Sequence, residues 1–196
     1  MNQFILILSA LFVFTACTTK QVENKEINIT ENTMESETPK FEKTEVEIDG
    51  APALLGEITE EDLLAPNYEY WYTFFKSEYE VNQEIVNEFK DDLEDVNIKV
   101  FIGTWCSDSQ EKTPAFFKIL ESANYPKDQV KMYSFNDLKE GLNAEEKKYD
   151  IEYVPTFVFY KNDEEIGRIV EFPIQTLEED MRDILHGNPQ TPNYAE

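Results

Sequence analysis

The apolar run at residues 96–103, VNIKVFIG, constrains the fold most, because it predicts a buried central strand rather than one face of a helix. Helical and strand patterns then alternate along the chain. Further strands are predicted at residues 130–135, 156–160 and 165–171, and helices at about 109–123, 143–149 and 177–186. Strands that alternate with helices predict parallel pairing, and a closing hairpin adds antiparallel strands. The sequence therefore predicts an α/β fold in which a central mixed β-sheet is flanked by helices.

Residues 51–77 predict an N-terminal helical extension to this domain, which is expected to span residues 78–187. Six aromatic residues lie between positions 68 and 75. We interpret them as core contacts, with a ligand-stacking surface as the alternative. Apolar residues then recur at helical spacing and predict a helix from about residue 78 to residue 94. These residues are Val81, Ile85, Val86, Phe89 and Leu93.

A second apolar run, at residues 4–16, ends directly before Cys17. It is too short for a transmembrane helix, which needs about 20 residues, but it has the length of a signal-peptide core. The Thr-Ala-Cys segment that ends at Cys17 resembles the lipobox of bacterial lipoproteins, in which the cysteine carries the lipid. The resemblance implies a lipoprotein-type signal peptide over residues 1–17, lipidation at Cys17, and a membrane-anchored protein of the bacterial cell envelope that faces the periplasm. A simple secretory signal is the alternative, because Phe14 replaces the usual leucine and no cation precedes the run.

Residues 18–50 are rich in threonine, glutamate, asparagine and lysine, and they contain few large apolar side chains. Such a segment cannot bury enough apolar surface to offset the entropy of ordering, so it predicts a disordered tether between anchor and domain. A poorly ordered terminus without a tethering role is equally compatible with this composition. Residues 188–196 predict a loose carboxyl-terminal tail.

Charge and composition exclude several classes of function. The chain has 17 Lys and Arg against 41 Asp and Glu, a formal net charge of −24, which would repel the phosphates of nucleic acid. It has two cysteines and one histidine, which are too few for a zinc site of the usual Cys/His kind. We therefore expect no nucleic-acid partner, no bound metal and no cofactor.

The residues that carry chemistry follow the predicted central strand. The segment WCSDS at residues 105–109 leaves this strand, Pro114 lies in the helix that follows, and Val154-Pro155-Thr156 opens a later strand. In the order and spacing of these motifs, the predicted domain resembles the thioredoxin superfamily. The resemblance implies a thioredoxin-like fold, in which a redox-active cysteine at the start of a helix faces a cis-proline loop.

The resemblance also implies roles for individual residues. The implied catalytic residues are Cys106, Ser109 and Trp105. The implied substrate-binding residues are Val154, Pro155 and Thr156, with a cis peptide bond before the proline. A cysteine at a helix amino terminus faces unpaired N–H groups and the positive end of the helix dipole, which favours the nucleophilic thiolate. A buried, unreactive side chain is the alternative interpretation of a lone cysteine.

Two departures from the family pattern bear on the expected mechanism, and the first of them decides it. Ser109 stands where the second, resolving cysteine is usual, and Val100 stands where thioredoxins carry a buried acid. Because serine cannot attack a mixed disulfide, net reduction needs an external thiol, whereas isomerisation needs only Cys106. The implied function is thiol–disulfide exchange through one thiol, with protein thiols or disulfides and an external reducing protein as partners. A non-catalytic binding module and a monothiol redox sensor are the alternatives.

Overall fold

Six strands form one mixed sheet in the computed structural model of the chain, which describes residues 43–191. In chain order the strands are β1 (Lys43–Ile48), β2 (Ala51–Ile58), β3 (Val96–Ile102), β4 (Val130–Ser134), β5 (Thr156–Lys161) and β6 (Glu164–Val170). Across the sheet they follow the order β1-β2-β4-β3-β5-β6. β3 and β4 pair in parallel, and the other neighbouring strands pair antiparallel. The predicted α/β class with a central mixed sheet is therefore confirmed.

Five α-helices accompany the sheet in the described part of the chain: α1 (Glu69–Glu78), α2 (Gln83–Phe89), α3 (Ser107–Ser122), α4 (Glu145–Lys148) and α5 (Leu177–Leu185). Short 3₁₀ turns lie at Glu60–Leu64, Lys90–Leu93 and Lys127–Gln129. Thr176 caps α5, because its side chain accepts a hydrogen bond from the backbone N–H of Glu179. Within residues 43–191, no helix combines the length and the apolar character needed to cross a membrane.

The two faces of the sheet bury different sets of side chains, because successive residues of a strand point to opposite sides. Ile98, Val100 and Ile102 of β3 pack with α1, α2, α3 and α5 in the larger apolar cluster. Phe101 points to the other face, where it packs with Val154 and other residues of the segment before β5. Val100 is fully buried, so the site where thioredoxins carry an acid is apolar here.

The amino-terminal boundary predicted from the sequence is wrong. β1 lies inside the predicted tether of residues 18–50, and β2 lies inside the predicted helical extension of residues 51–77. β1 is an edge strand with mostly exposed side chains, so its sequence is as polar as that of an unstructured segment. The rest of the extension is helical, since it holds the first 3₁₀ turn and nearly all of α1. β1, β2 and α1 belong to the same compact unit as the predicted domain.

The helix predicted over residues 78–94 is divided in the structure. α1 ends at Glu78, where that helix was expected to begin, and α2 begins only at Gln83. The side chain of Asn82 accepts a hydrogen bond from the backbone N–H of Ile85, which caps the new helix and sets its start.

The two ends of the chain allow only partial comparison with their predictions. The signal peptide, Cys17 and residues 18–42 of the tether lie outside the described residues, as do residues 192–196 of the tail. The tail prediction is wrong for its first residues, because both Asn188 and Gln190 bond to Asp183 of α5.

Candidate active site

Cys106 lies at the carboxyl end of the central strand, where the chain turns from β3 into α3. It is the N-cap residue of α3, it is half-buried, and it forms no disulfide. Its thiol donates a hydrogen bond to the backbone carbonyl of Val154, with 3.5 Å between sulfur and oxygen. The backbone N–H of Cys106 donates to the carbonyl of Gly103 at 2.9 Å, which closes the turn between strand and helix. The sulfur therefore lies between a helix amino terminus and the loop that opens β5.

The indole of Trp105 is held across the ends of β3 and β4. Its Nε1 donates to the carbonyl oxygen of Phe135 at 2.9 Å. The ring also covers Gly103 closely, since a Cβ at position 103 would lie 2.6 Å from two indole atoms. Glycine is therefore required at position 103 for the tryptophan to occupy this place. Gly103 was not identified from the sequence as a site residue, although its place between the apolar strand and Trp105 is a signal for a close approach.

Thr104 ties the cysteine loop to the amino-terminal hairpin. Its buried Oγ1 accepts a hydrogen bond from the backbone N–H of Leu54 in β2, at 2.9 Å. The carbonyl of Leu54 in turn accepts from the hydroxyl of Ser134 at 2.7 Å. The side chain of Gln110 donates to the Thr104 carbonyl at 2.8 Å and so fastens the loop to α3. Thr104 was also missed from sequence, because its partner lies 50 residues upstream.

Ser109 occupies the position of the resolving cysteine on the inner side of α3. It is fully buried, and its hydroxyl accepts a hydrogen bond from the backbone N–H of Gly103 at 3.1 Å. Ser109 thus contributes to the shape of the loop that carries Cys106. No second thiol is present in the described part of the chain, so an internal disulfide cannot form there.

The loop before β5 has the conformation that the family resemblance implies. The Val154–Pro155 peptide bond is cis, as predicted, and the loop lies beside the Cys106 sulfur. Thr156 is buried, and its hydroxyl donates to the carbonyl of Tyr153 at 2.7 Å, so its side chain shapes the loop from inside. The carbonyl of Pro155 accepts from the backbone N–H of Glu171 at 2.7 Å, which connects this loop to the segment after β6.

Exposed apolar side chains follow β4 and β6, and the first residue after each strand bonds to Trp105 or Pro155 beside Cys106. Phe172 and Ile174 follow β6, and Leu138 and Leu142 follow β4; all four are more than a third exposed. The Lys112 ammonium group of α3 lies 5.9 Å from the centre of the Phe172 ring. Exposed apolar side chains of this kind are suited to contact with a polypeptide.

Other candidate sites lie away from Cys106 or are absent from the described residues. A cavity of about 890 Å³ adjoins the amino end of β3, beside Asn97 and Asn162. A second cavity, of about 650 Å³, lies between Tyr72, Phe117 and Met132. No group of three or more His, Cys, Asp or Glu side chains within residues 43–191 is arranged to hold a metal ion.

A mixed sheet with a cysteine at a helix start beside a cis-proline loop defines a thioredoxin-like protein. The chain belongs to the thioredoxin family, because residues 78–183 match the sequence model of the Thioredoxin family. This membership supports thiol–disulfide redox chemistry in general terms. Thioredoxin H9 from Arabidopsis thaliana is 29% identical over 92 residues, which are 47% of this chain and 61% of that protein. The match thus spans less than two thirds of that relative.

Solved structures resemble the chain at lower sequence identity. Thioredoxin O2 from Arabidopsis thaliana, in its oxidized state, shares 17% identity with a TM-score of 0.34 over 54% of this chain and 90% of that one. A mutant thioredoxin from Halobacterium salinarum shares 19% identity with a TM-score of 0.34 over 58% of this chain and 89% of that one.

Proposed function

We propose that the chain is a membrane-anchored thioredoxin-like protein that performs thiol–disulfide exchange through the single thiol of Cys106. The observation that carries the proposal is the position of this thiol at the start of α3, half-exposed, with its sulfur 3.5 Å from the Val154 carbonyl. Family membership supports the same chemistry. Protein thiols and disulfides are the proposed substrates.

The exchange step needs one sulfur from the chain. The Cys106 thiolate attacks a substrate disulfide, a new S–S bond forms to Cys106, and the displaced substrate sulfur leaves with the electron pair as a thiolate. The hydroxyl of Ser109 cannot resolve this mixed disulfide. Either an external thiol attacks it, which completes reduction of the substrate, or the displaced thiolate attacks again, which completes isomerisation.

Membrane attachment is the second element of the proposal. It is supported by the apolar run before Cys17 and the Thr-Ala-Cys segment in which the run ends. The lipid at Cys17 would hold the domain at the cell envelope, facing the periplasm. Replacement of Cys17 by alanine should abolish fatty-acid labelling and release the protein from membranes, and unchanged retention would contradict the anchor.

Trapping of covalent partners tests the exchange function. Under oxidising conditions, the wild type and Ser109→Ala should both accumulate mixed disulfides, detected by mass, because attack requires only Cys106. Cys106→Ala should trap nothing. Ser109→Cys places a second sulfur one helical turn away, so this variant should trap less and gain turnover with a dithiol reductant.

A non-catalytic binding module is the competing function, favoured by the replacement of the resolving cysteine with a buried serine. It predicts that the wild type traps no partner and that Ser109→Cys gains no turnover. A monothiol redox sensor predicts a third result, in which Cys106 is oxidised by peroxide and then captures a small thiol rather than a protein. The trapping experiment separates these three outcomes.

A further inference from the structure

The segment at residues 171–176, which joins β6 to α5, bonds to the cis-proline loop that lies beside Cys106. It starts at Glu171, whose backbone N–H bonds to the Pro155 carbonyl and whose φ of 53° lies in the left-handed region. Phe172 and Ile174 follow, with 43% and 38% of their surfaces exposed. We call residues 171–176 the recognition loop.

A buried carboxylate on α5 holds the far end of this loop. Asp180 is only 3% exposed. Its Oδ2 accepts a hydrogen bond from the backbone N–H of Ile174 at 2.6 Å, and its Oδ1 accepts from that of Gln175 at 3.2 Å. Both donors belong to the recognition loop, so one side chain fixes the backbone of Ile174 and Gln175, which begins two residues after Phe172.

The position is energetically demanding for a carboxylate. Burial raises the pKa of Asp180 above its ordinary value, and the nearby charge of Asp183 acts in the same direction. The hydrogen bonds from Ile174 and Gln175 oppose that shift. Because a buried charge is costly unless it is hydrogen-bonded, the loop and the carboxylate depend on each other.

A second buried carboxylate on the same helix provides a comparison. Glu178 is 2% exposed, and it accepts hydrogen bonds from the Tyr79 hydroxyl at 2.8 Å and from the backbone N–H of Asn82 at 3.0 Å. These contacts join α5 to the segment between α1 and α2 and do not involve the recognition loop. Glu178 and Asp180 thus have similar burial and different partners.

We propose that Asp180 is a positioning residue for partner recognition: it holds the recognition loop so that Phe172 and Ile174 contact the polypeptide next to a substrate disulfide at Cys106. The inference rests on the proposed exchange function. The partner it implies is a segment with apolar side chains beside its cysteine, because the loop offers apolar contacts. Asp180 itself touches neither of the reacting sulfurs.

The test compares two disulfides that lose the same leaving group. One is Ellman's reagent, which is too small to need the loop. The other is an apolar peptide whose cysteine is disulfide-bonded to nitrothiobenzoate. In each case the Cys106 thiolate attacks, a mixed disulfide forms on Cys106, and coloured nitrothiobenzoate leaves as a thiolate. The full chain carries Cys17→Ala, so that Cys106 is the thiol that reports.

The measured quantity is the rate with the peptide divided by the rate with Ellman's reagent. Because both rates come from one sample, errors in protein concentration cancel in the ratio. An unfolded chain also exposes the Cys106 thiol to both probes, so the rates are measured at a temperature where circular dichroism shows every variant to be folded. In Asp180→Asn the amide has a single oxygen and cannot accept both N–H bonds. The ratio measured for this variant should fall about tenfold, which is the effect expected when an aromatic side chain no longer reaches its partner at an interface. Phe172→Ala should lower the ratio similarly, and the double variant no further, because both changes remove one interaction.

Glu178→Gln is the matched control. It neutralises an equally buried carboxylate of α5 and should lower the unfolding temperature while leaving the ratio within about twofold of wild type. The inference is wrong if Asp180→Asn keeps the wild-type ratio or if Phe172→Ala does not lower the ratio. It is also wrong if Glu178→Gln lowers the ratio as much as Asp180→Asn does. If the wild type releases nitrothiobenzoate from neither probe, the proposed exchange function fails, and this inference fails with it. If the wild type reacts with the probes but Asp180→Asn keeps the wild-type ratio, the inference about Asp180 is wrong and the proposed exchange function is not affected.

Discussion

The loop that carries Cys106 and the charged cluster around Glu60 both join the amino-terminal elements to the rest of the domain, but they use different chemistry. Around Cys106 the connections are uncharged hydrogen bonds. The Thr104 hydroxyl accepts from the backbone N–H of Leu54, and the Ser134 hydroxyl donates to the Leu54 carbonyl. Around Glu60 they are ionic, because lysine ammonium groups bind carboxylates there. Salt and pH have little effect on the uncharged hydrogen bonds that hold the loop of Cys106, whereas both change the strength of an ionic cluster.

The Glu60 cluster lies in the 3₁₀ turn after β2 and connects it to α1 and α3. The Glu60 carboxylate accepts from the ammonium groups of Lys76 and Lys127, each at 2.6 Å, and from the Tyr72 hydroxyl. Glu121 of α3 pairs with the same two lysines at 2.8 and 2.6 Å. Burial, followed by the contact with Glu60, raises the pKa of Tyr72, so its hydroxyl stays protonated as a donor.

The largest loss of stability is expected from removal of the uncharged connection. Thr104→Val preserves shape but leaves the buried N–H of Leu54 without its acceptor, which should cost about 1–3 kcal/mol of unfolding free energy in urea titrations. Thr113→Val is the matched control, because the Thr113 hydroxyl is buried without a hydrogen-bond partner among the described residues. That control should be neutral or stabilising. Equal losses in the two variants would show that the Leu54 bond is not what Thr104 contributes.

Glu60→Gln is expected to lose less free energy of unfolding, about 1.5 kcal/mol at neutral pH. The glutamine amide keeps the shape of the side chain but loses the charge-assisted hydrogen bonds. Glu121 still pairs with both lysines in this variant, which limits the effect. Urea unfolding at low and high salt measures it. High salt should reduce the difference between wild type and Glu60→Gln, and it should leave the Thr104→Val difference unchanged. The opposite pattern would remove the distinction between the two regions.

The pH dependence of the same variant sharpens the comparison. Burial alone would raise the pKa of Glu60, but hydrogen bonds from Lys127, Lys76 and Tyr72 outweigh it and hold the pKa below its ordinary value. Because the folded pKa is the lower one, ionised Glu60 stabilises the fold above its unfolded pKa, and this contribution is lost as pH falls through the folded pKa. The advantage of wild type over Glu60→Gln should therefore shrink below about pH 4.5. An advantage that grows with acidity would contradict the assignment.

The smallest effect is expected from a charge near the cysteine. Lys112 of α3 pairs with Glu111 at 2.6 Å, and the glutamate side chain is about half exposed. An exposed pair of neighbours contributes little, so Lys112→Ala should change the free energy of unfolding by no more than about 0.5 kcal/mol. A loss as large as that of Glu60→Gln would mean that the cysteine region also depends on charge.

The order of elements from β3 to α5 could be predicted from the sequence, because these strands and helices bury apolar residues at clear spacing. Cys106 and the cis bond before Pro155 were predictable for a different reason, since the family motif places both. The roles of Gly103 and Thr104 could not be predicted, because each depends on a partner that only the folded chain brings close. The same applies to Asp180, whose charge resembles that of its acidic neighbours in α5 until its burial is known.

β1 and β2 were missed for a reason that lies in the physics of sheet edges. β1 buries only Ile48, so its polar and charged side chains give no strand signal. β2 is clearer, with Ala53, Leu54 and Ile58 buried, but it follows a polar segment. Pairing between β2 and β4, which lie far apart in sequence, supplies the stabilisation that local patterns do not reveal.

The exposed charges of β1 bear on how copies of the protein behave when crowded. The outer side of an edge strand offers unpaired N–H and C=O groups, on which a strand from another molecule can add. In β1, such addition is opposed by the exposed side chains of Lys43, Glu45 and Glu47, because another strand would have to desolvate their charges. A chain with this edge should stay monodisperse at concentrations where a flat apolar edge would begin to assemble into fibres.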